Sequence, residues 1–312
     1  MMVKKYKFIL NPIAGQGAGA QSAPDIHLLA REGLLDYDVM ITERPGHAIE
    51  LAHAAAMDNF DYVIAVGGDG TSNEVLNGLM QAWNEGRKNT CMGIVGIGRG
   101  NDFAYGLGVQ PGLSAGFEII RQDRIALMDV GFVRGGDYPQ GRYFGNGVGI
   151  GFDAVVGFEA AKLTRLHGFM NYIVAALRTI FLYFRAPQVR VEYDTQVINQ
   201  PSLMVSIMNG RRMGGGFMMA PDALVDDGLL DLCIAGQMSR FGILRMIPKF
   251  MKGTQAREAS IKTGRAGKIH IFAVEGVLPA HADGETICTA GKELTIEVIN
   301  KPMNFLRGQL ST

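Results

Sequence analysis

One short run constrains the fold more than any other. It is Gly67-Gly68-Asp69-Gly70-Thr71, set between the apolar stretch Tyr62-Val63-Ile64-Ala65-Val66 and the segment Ser72-Asn73-Glu74-Val75-Leu76-Asn77. An unbroken apolar stretch of this length fits a buried strand. The strand empties into a glycine turn that opens a helix, with Thr71, Ser72 or Asn73 available near the cap. Such a junction offers backbone N–H groups and the positive end of a helix dipole to an anion. Gly67, Gly68 and Gly70 lack the Cβ atoms that would hold a phosphate off the backbone. The acid inside this turn, Asp69, makes sense with a divalent metal between carboxylate and phosphates. The plainer alternative is a strand-to-helix turn with a solvated aspartate.

The first part of the chain repeats the strand–turn–helix pattern. Residues 6–10 read as a strand followed by a turn over 11–17, and 38–41 as a second strand before an alanine-rich helix over 46–57. A helix is expected over about 72–85, and 91–97 reads as another buried strand before Gly98-Arg99-Gly100-Asn101-Asp102. Strands alternating with helices imply a mostly parallel sheet with ligands at the carboxyl ends of its strands. Glycine-rich turns at 11–19, 67–71 and 98–102 then fall at one edge.

The character changes near Met128-Asp129-Val130-Gly131. Short, turn-separated apolar runs follow at 141–144, 189–193, 203–208, 229–234, 268–274 and 293–299, which indicates a predominantly β second domain. The expected division is an α/β domain over 1–127, rejoined by 300–312, and a β domain over 128–299. Two helical segments interrupt the second domain. Residues 154–184 are apolar at nearly all positions and are expected to be buried or partly lipid-facing; residues 238–251 are amphipathic and basic. The tail at 303–310 is expected to pack back on one of the domains.

Lys and Arg together number 30, as do Asp and Glu, so the 312-residue chain lacks the broad positive footprint of a nucleic-acid binder. Cys91, Cys233 and Cys288 are widely spaced and form no zinc pattern, which points to reduced thiols and a cytoplasmic protein. The longest membrane candidate, 169–184, is interrupted by Asn171 and Arg178 and falls short of the roughly 20 apolar residues of a span. The N-terminal apolar stretch Phe8-Ile9-Leu10 is too short for a signal peptide.

No Gly-x4-Gly-Lys-[Ser/Thr] loop occurs. Gly15-Gln16-Gly17-Ala18-Gly19 is a weak dinucleotide signal, and Ile41-Thr42 stands where an acid for a ribose would be needed. Taken together, the motifs resemble the diacylglycerol kinase catalytic-domain family, most closely its bacterial soluble lipid kinases. The residues that carry the likeness are Asn11-Pro12 with Gly15 and Gly17, Thr42 with Gly46-His47-Ala48, the 67–71 turn with Asn73-Glu74-Val75, and Gly98-Arg99-Gly100-Asn101-Asp102-Phe103-Ala104. Further along they are Asn146, Gly149-Ile150-Gly151-Phe152-Asp153-Ala154, Gly214-Gly215-Gly216, Pro221-Asp222-Ala223, 224–231 and Asp283-Gly284-Glu285.

The resemblance implies an ATP-dependent kinase with an α/β nucleotide domain, a β-sandwich and an active site in the cleft between them. It implies that Asn11, Thr42, Gly67, Gly68, Asp69, Gly70, Thr71, Ser72 and Asn73 face ATP. It implies a structural Mg²⁺ held by the carbonyls of Leu224 and Leu229 and the carboxylate of Asp227, and Glu285 as proton acceptor. Arg99 replaces the threonine that the family commonly carries; its guanidinium reaches the phosphates or turns to solvent.

Phosphoryl transfer needs charge neutralisation and alignment. Asp69 and Asp102 are expected to organise Mg²⁺, with Asp129 joining from the second domain. The plainer readings are a helix N-cap for Asp102, a hinge turn for Asp129, a hairpin turn for Asp283-Gly284 and a surface loop for Asp226-Asp227. Neither His47 nor His281 has metal-ligand spacing. A lipid acceptor has to be drawn from a membrane, and residues 239–252 place four cations among bulky apolar side chains, suited to an anionic interface or to packing with a solvated basic face. Methionines such as Met213, Met218 and Met219 suit an adaptable acyl groove or ordinary core filling. The expected activity is phosphorylation of a lipid hydroxyl, that of diacylglycerol giving phosphatidate. An NAD kinase and a non-catalytic nucleotide- and lipid-binding regulator are the alternatives, and a homodimer is left open.

Overall fold

The computed structural model describes residues 4–163, 168–182 and 185–309. The chain divides into two compact units, Met1–Met128 with Lys301–Thr312, and Asp129–Asn300. Parts of two expected segments, 164–167 and 183–184 of the apolar helical stretch and residue 310 of the tail, lie outside the described residues.

The first unit alternates strand and helix. Its elements are β1 (Lys5–Leu10), α1 (Ala14–Glu32), β2 (Asp36–Ile41), α2 (His47–Met57), β3 (Tyr62–Gly67) and α3 (Asp69–Asn84). They continue with β4 (Cys91–Gly96), α4 (Asp102–Gly106) and α5 (Leu113–Gln122). The strands run in the order β2-β1-β3-β4, all parallel, with Leu10 opposite Ile41 and Val66, and Gly67 opposite Gly96. Every strand therefore ends at the same edge. Because β1 sits between β2 and β3, successive connections leave it in opposite directions, which opens a crevice at the carboxyl ends of β1 and β3.

Burial explains the composition of these strands. Phe8, Leu10, Ile64, Val66 and Val95 pack on one side against Ile26 and Ala30 of α1 and Phe117 and Ile120 of α5. Ile9, Val63, Ala65 and Met92, on the alternate positions, are equally buried. Both faces are covered, so β3 and β4 read as continuous apolar runs. Two boundaries differ from the expected ones. The helix after the glycine turn begins at Asp69 rather than near 72, and within α1 Gly15, Gln16 and Gly17 have φ of 58°, 62° and 97°, so the regular helix starts only after them.

The second unit is mostly β. It contains β5 (Ile125–Gly135), which starts in the first unit, β6 (Tyr138–Phe144), β7 (Gly147–Gly151), α6 (Phe152–Lys162) and α7 (Gly168–Leu182). Next come β8 (Gln188–Tyr193), β9 (Gln196–Met208), β10 (Leu230–Gly236) and α8 (Arg240–Lys252). The last strands are β11 (Ile261–Ala266), β12 (Lys268–Glu275), β13 (Leu278–Ala282), β14 (Glu285–Gly291) and β15 (Glu293–Leu306). The long β9 serves two layers. Its first half pairs with β8 and its second half with β7 and β10. One layer runs β9-β8-β12-β15 and the other β14-β13-β7-β9-β10-β11. Their inward side chains form a single core that includes Val189, Val191, Ile207, Leu232, Ile269 and Ile271, as a sandwich requires. The opposite face of β9 and β10, with Met204, Cys233 and Ala235, packs on Met246 and Phe250 of α8, which accounts for the unbroken apolar run there. The expected single helical segment over 154–184 is two helices, α6 and α7, packed on each other through Val156, Ala160, Ala175 and Ala176.

The strand β15 starts in the second unit and finishes in the first, where Phe305 pairs in parallel with Met92 of β4. Its end is built into that unit: Leu306 joins the core, the Arg307 N–H donates to the Arg124 carbonyl at 2.9 Å, and the Gly308 N–H to the Leu107 carbonyl at 2.8 Å.

Candidate functional site

In the first unit the three glycine turns converge, as the parallel sheet requires. Asn11 Nδ2 donates to Thr71 Oγ1 at 3.0 Å, tying the turn after β1 to the start of α3, while Asn11 Oδ1 accepts the Ile13 N–H at 3.1 Å. The Thr42 N–H donates to the Leu10 carbonyl at 2.9 Å and so brings the second loop to the same edge. Gly68 and Gly98 meet backbone to backbone; a Cβ on Gly98 would lie 2.4 Å from the Gly68 Cα. Any side chain here would push apart two loops that must stay close. Gly70 is partly buried in the first turn of α3, whose leading N–H groups have no intrahelical acceptor.

The acids of this unit hold loops. Asp69 Oδ1 accepts the Phe103 N–H at 2.9 Å, so the acid on one glycine turn caps the short helix that follows the next. Asp102 is buried at 6% exposure as the first residue of α4, and the N-cap position belongs to Asn101, which sits at φ +53°. Asn101 brackets Gly98 on both sides: its Oδ1 accepts the Gly98 N–H at 2.8 Å and its Nδ2 donates to the Gly98 carbonyl at 3.0 Å. Asn is one of the few residues that take this left-handed backbone readily. Arg99 is partly buried on the same turn. Ser72 and Asn73, at 1% and 0% exposure, are turned inward; Asn73 Oδ1 accepts from Asn77 Nδ2 at 3.1 Å. The Asn73–Asn77 contact braces α3 from within.

Sequence reasoning missed Glu74. Its carboxylate accepts the N–H groups of Gly46 at 2.8 Å and Ala48 at 3.1 Å, clamping the start of α2 to α3 and fixing the loop that carries Thr42. The available signal was Gly46 near an acid in the first turns of the next helix.

The second unit places Glu285 as the first residue of β14. Asp283 and Gly284, at φ 48° and 87°, form the two-residue turn between β13 and β14, so the hairpin reading of this pair is correct. The Asp283 carboxylate is buried at 4% exposure and accepts three N–H groups, from Gly145 at 2.7 Å, Asn146 at 2.9 Å and Gly147 at 2.9 Å. Behind the turn, His281 Nδ1 accepts the Gly284 N–H at 3.3 Å, and its Nε2 lies 3.6 Å from Asp153 Oδ1. Glu285 itself projects with Oε2 3.8 Å from the nearly buried guanidinium of Arg142. The carboxylate is held in place by a rigid turn and kept near a cation, with 36% of its side chain accessible.

Asp153 also lines a cavity. The cavity has a volume of about 70 Å³ and is open at its mouth, between α6, α7, α8 and the outer face of β9 and β10. The walls are Phe152, Val156, Ala176, Leu203, Met204, Phe217, Met219, Ala235, Met238, Ile243, Met246, Ile247 and Phe250, and Asp153 is the single ionisable group among them. Its Oδ2 accepts the Ser206 hydroxyl at 2.9 Å. Met219 and Met246 belong to this wall, whereas Met213 packs in the adjoining cluster.

Asp129, in the second unit, holds a loop there. Its Oδ2 accepts the Gly228 N–H at 2.7 Å, its own N–H donates to the Val225 carbonyl at 2.8 Å, and its carbonyl accepts from Asn209 Nδ2 at 2.9 Å. Burial raises its carboxyl above the ordinary range, helped by Asp226 and opposed by the Gly228 N–H. Asp129 is a clamp on the 224–229 loop within the second unit.

In that loop, the carboxylate of the implied Leu224, Asp227 and Leu229 set has partners of its own. Asp227 Oδ1 accepts the Leu229 N–H at 3.1 Å, and Oδ2 pairs with the Arg265 guanidinium. The only carboxylate of the implied set is therefore paired with a resident cation. Among the described residues no group of three or more His, Cys, Asp or Glu is placed to hold a metal. Asp231 lies behind, with its Oδ1 3.5 Å from Arg265 Nε and its Oδ2 buried without a hydrogen bond. Burial and then the neighbouring Asp222 push its carboxyl up to about 6, because Arg265 is committed to Asp227.

The three cysteines are buried and unpaired, and burial pushes Cys91 and Cys233 up to about 12, which leaves them unreactive. No helix among the described residues is long and apolar enough to cross a membrane.

Comparison with known proteins matches both units. Residues 5–133 match the diacylglycerol kinase catalytic domain and residues 146–304 the YegS C-terminal NAD kinase beta sandwich-like domain. A diacylglycerol kinase of Mycobacterium tuberculosis is 27% identical over 294 residues, covering 94% of this chain and 92% of the relative. The crystal structure of a diacylglycerol kinase from Bacillus anthracis shares the fold with a TM-score of 0.75 at 22% identity, over 100% of both chains. An NAD kinase from Archaeoglobus fulgidus, solved in complex with ATP, shares it more distantly, with a TM-score of 0.50 at 15% identity over 98% of this chain and 94% of that one. With an α/β unit carrying the glycine turns and a β-sandwich carrying the Asp-Gly-Glu hairpin, the chain belongs to the diacylglycerol kinase catalytic-domain family, in the branch with the YegS-type C-terminal domain.

Proposed function

We propose that this protein is an ATP-dependent lipid kinase that transfers the γ-phosphoryl group of ATP to a lipid hydroxyl, with diacylglycerol as the acceptor and phosphatidate as the product. The observation that carries the lipid reading is the apolar cavity beside the hairpin. Its one ionisable wall residue, Asp153, approaches His281, and His281 accepts the N–H of Gly284, the residue before Glu285. A space of this composition suits an acyl chain far better than a nucleoside and sugar.

In this reading the convergent loops of the first unit bind the donor. The backbone at 67–71, the positive end of α3 and Thr42 on its clamped loop accept the phosphates, and Arg99 adds a guanidinium to them. Mg²⁺ bound with ATP would supply charge neutralisation on the transferred group, with Asp69 and Asp102 as the acids on the neighbouring turns. Glu285 takes the proton of the acceptor hydroxyl, with the Arg142 guanidinium 3.8 Å from its carboxylate. Asp283 and His281 do no chemistry; they fix the turn.

The experiment is a radiolabelled-ATP screen over diacylglycerol, ceramide, sphingosine, phosphatidylglycerol and NAD. Label is expected in phosphatidate. Transfer to NAD alone would establish an NAD kinase instead, and ATP binding without transfer to any acceptor would establish a regulator.

A further inference from the structure

The helices that roof the cavity have a second face. On α7, Met170, Leu177 and Phe181 are 58%, 40% and 70% exposed, and on α8, Phe241, Leu244 and Met251 are 77%, 42% and 43% exposed. Their spacing sets each trio along one side of its helix. Exposed side chains of this size, gathered on two helices that pack together through Ile180 and Ile243, make an apolar patch rather than scattered surface residues. Cations surround it. The two helices carry Arg178, Arg240, Arg245, Lys249 and Lys252 and no Asp or Glu. Arg240 lies over the Phe181 ring at 5.5 Å, and Lys249 is paired with Glu258.

We infer that this α7–α8 face docks on an anionic bilayer surface, with Phe181, Phe241 and Leu244 entering the headgroup region and Arg240, Arg245 and Lys252 meeting lipid phosphates. The charge pattern selects this occupant. A two-fold dimer through the same face would set each cationic patch against its own copy, whereas an anionic leaflet neutralises it. The patch is also too short to span; among the described residues no helix is long and apolar enough, so contact is with one leaflet. The purpose of docking rests on the lipid-acceptor reading, since the inner side chains Ile243, Met246 and Phe250 of the same α8 wall the cavity.

The test is flotation of the full chain with vesicles of phosphatidylglycerol or of phosphatidylcholine, in low and high salt, which reads binding without any turnover. Wild type is expected to float with the anionic vesicles and to be released by salt. Each cation removed should weaken binding about fivefold. R240E/R245E should lose at least roughly 25-fold, and F181D/F241D should abolish flotation while leaving the melting temperature within a few degrees. Equal binding to both vesicle types, or full binding by both double variants, overturns the inference. So does a dimer in sedimentation that F241D dissolves. Flotation of a chain that phosphorylates no lipid would leave this surface standing and remove the lipid-kinase reading. Turnover on diacylglycerol in detergent by a chain that never floats would do the reverse.

Discussion

The two units hold their functional loops by different physics. In the first, loops are drawn together by the absence of side chains: Gly68 and Gly98 touch through their backbones, and Asp69 and Glu74 tie the neighbouring turns by accepting N–H groups. In the second, one buried carboxylate, Asp283, carries the load by taking three N–H groups at once. A site assembled from close backbone contacts is vulnerable to added volume. A site assembled on a buried anion is vulnerable to lost charge. The first arrangement leaves space for a large anionic ligand; the second aims a single side chain.

The largest expected effect tests that aim. Glu285→Gln keeps the hairpin and should lower kcat by roughly 10²–10⁴-fold while ATP affinity, read by equilibrium dialysis, and the melting temperature stay unchanged. Near-normal turnover would remove Glu285 from the chemistry. Asp283→Ala should do the opposite kind of damage. It strands three buried N–H groups and should cost about 3 kcal/mol or more in urea unfolding, with kcat falling because the turn is loosened. A loss under about 1 kcal/mol would mean the buried anion is not the anchor.

On the other side of the comparison, Gly98→Ala adds a single methyl group 2.4 Å from the Gly68 Cα. It should cost about 1–3 kcal/mol and weaken ATP binding, with Gly267→Ala, whose added methyl would meet only the Gly228 carbonyl at 3.8 Å, as a control for steric crowding. Unchanged ATP affinity in Gly98→Ala would separate the loop contact from the donor site. The smallest effect concerns Asp231. A carboxyl raised in the folded state keeps a proton that the unfolded chain has released, so stability from this group is full below about pH 4 and is lost as pH rises through about 6. Asp231→Asn should therefore match wild type at low pH and be more stable at pH 7. The gain should be roughly 1 kcal/mol once solvent screening is discounted. Equal stability at both pH values would place the proton elsewhere.

These contrasts also explain what could be read from the sequence. The convergence of glycine turns was legible because a parallel sheet sends every strand end to one edge, and the hairpin at Asp283-Gly284 because an Asp-Gly pair has few other uses. Partners distant in sequence were not legible. Asp69 accepts from a residue in the next helix, Asp283 from a loop on the far side of the sandwich sequence, and Asp129 from Gly228. In each case residue type suggested metal chemistry or a local turn, while the fold supplied a backbone N–H. The same holds for Asp227, whose carboxylate pairs with Arg265, 38 residues later in the chain and beyond β10 and α8. The helix break between α6 and α7 was hidden by a different cause: an apolar composition with no polar stripe gives no period to interrupt.

The path of β15 sets a schedule for folding on the ribosome. The first unit contains the earliest residues to emerge, yet its sheet is completed by Phe305 beside β4, and its core by Leu306. The whole second unit is translated in the interval. The unit proposed to grip the donor must wait, with one edge of β4 unpaired, until the unit proposed to handle the acceptor has been made. A nascent chain stalled before residue 303 would then be open to proteolysis in its N-terminal portion, and release of the last few residues would close it.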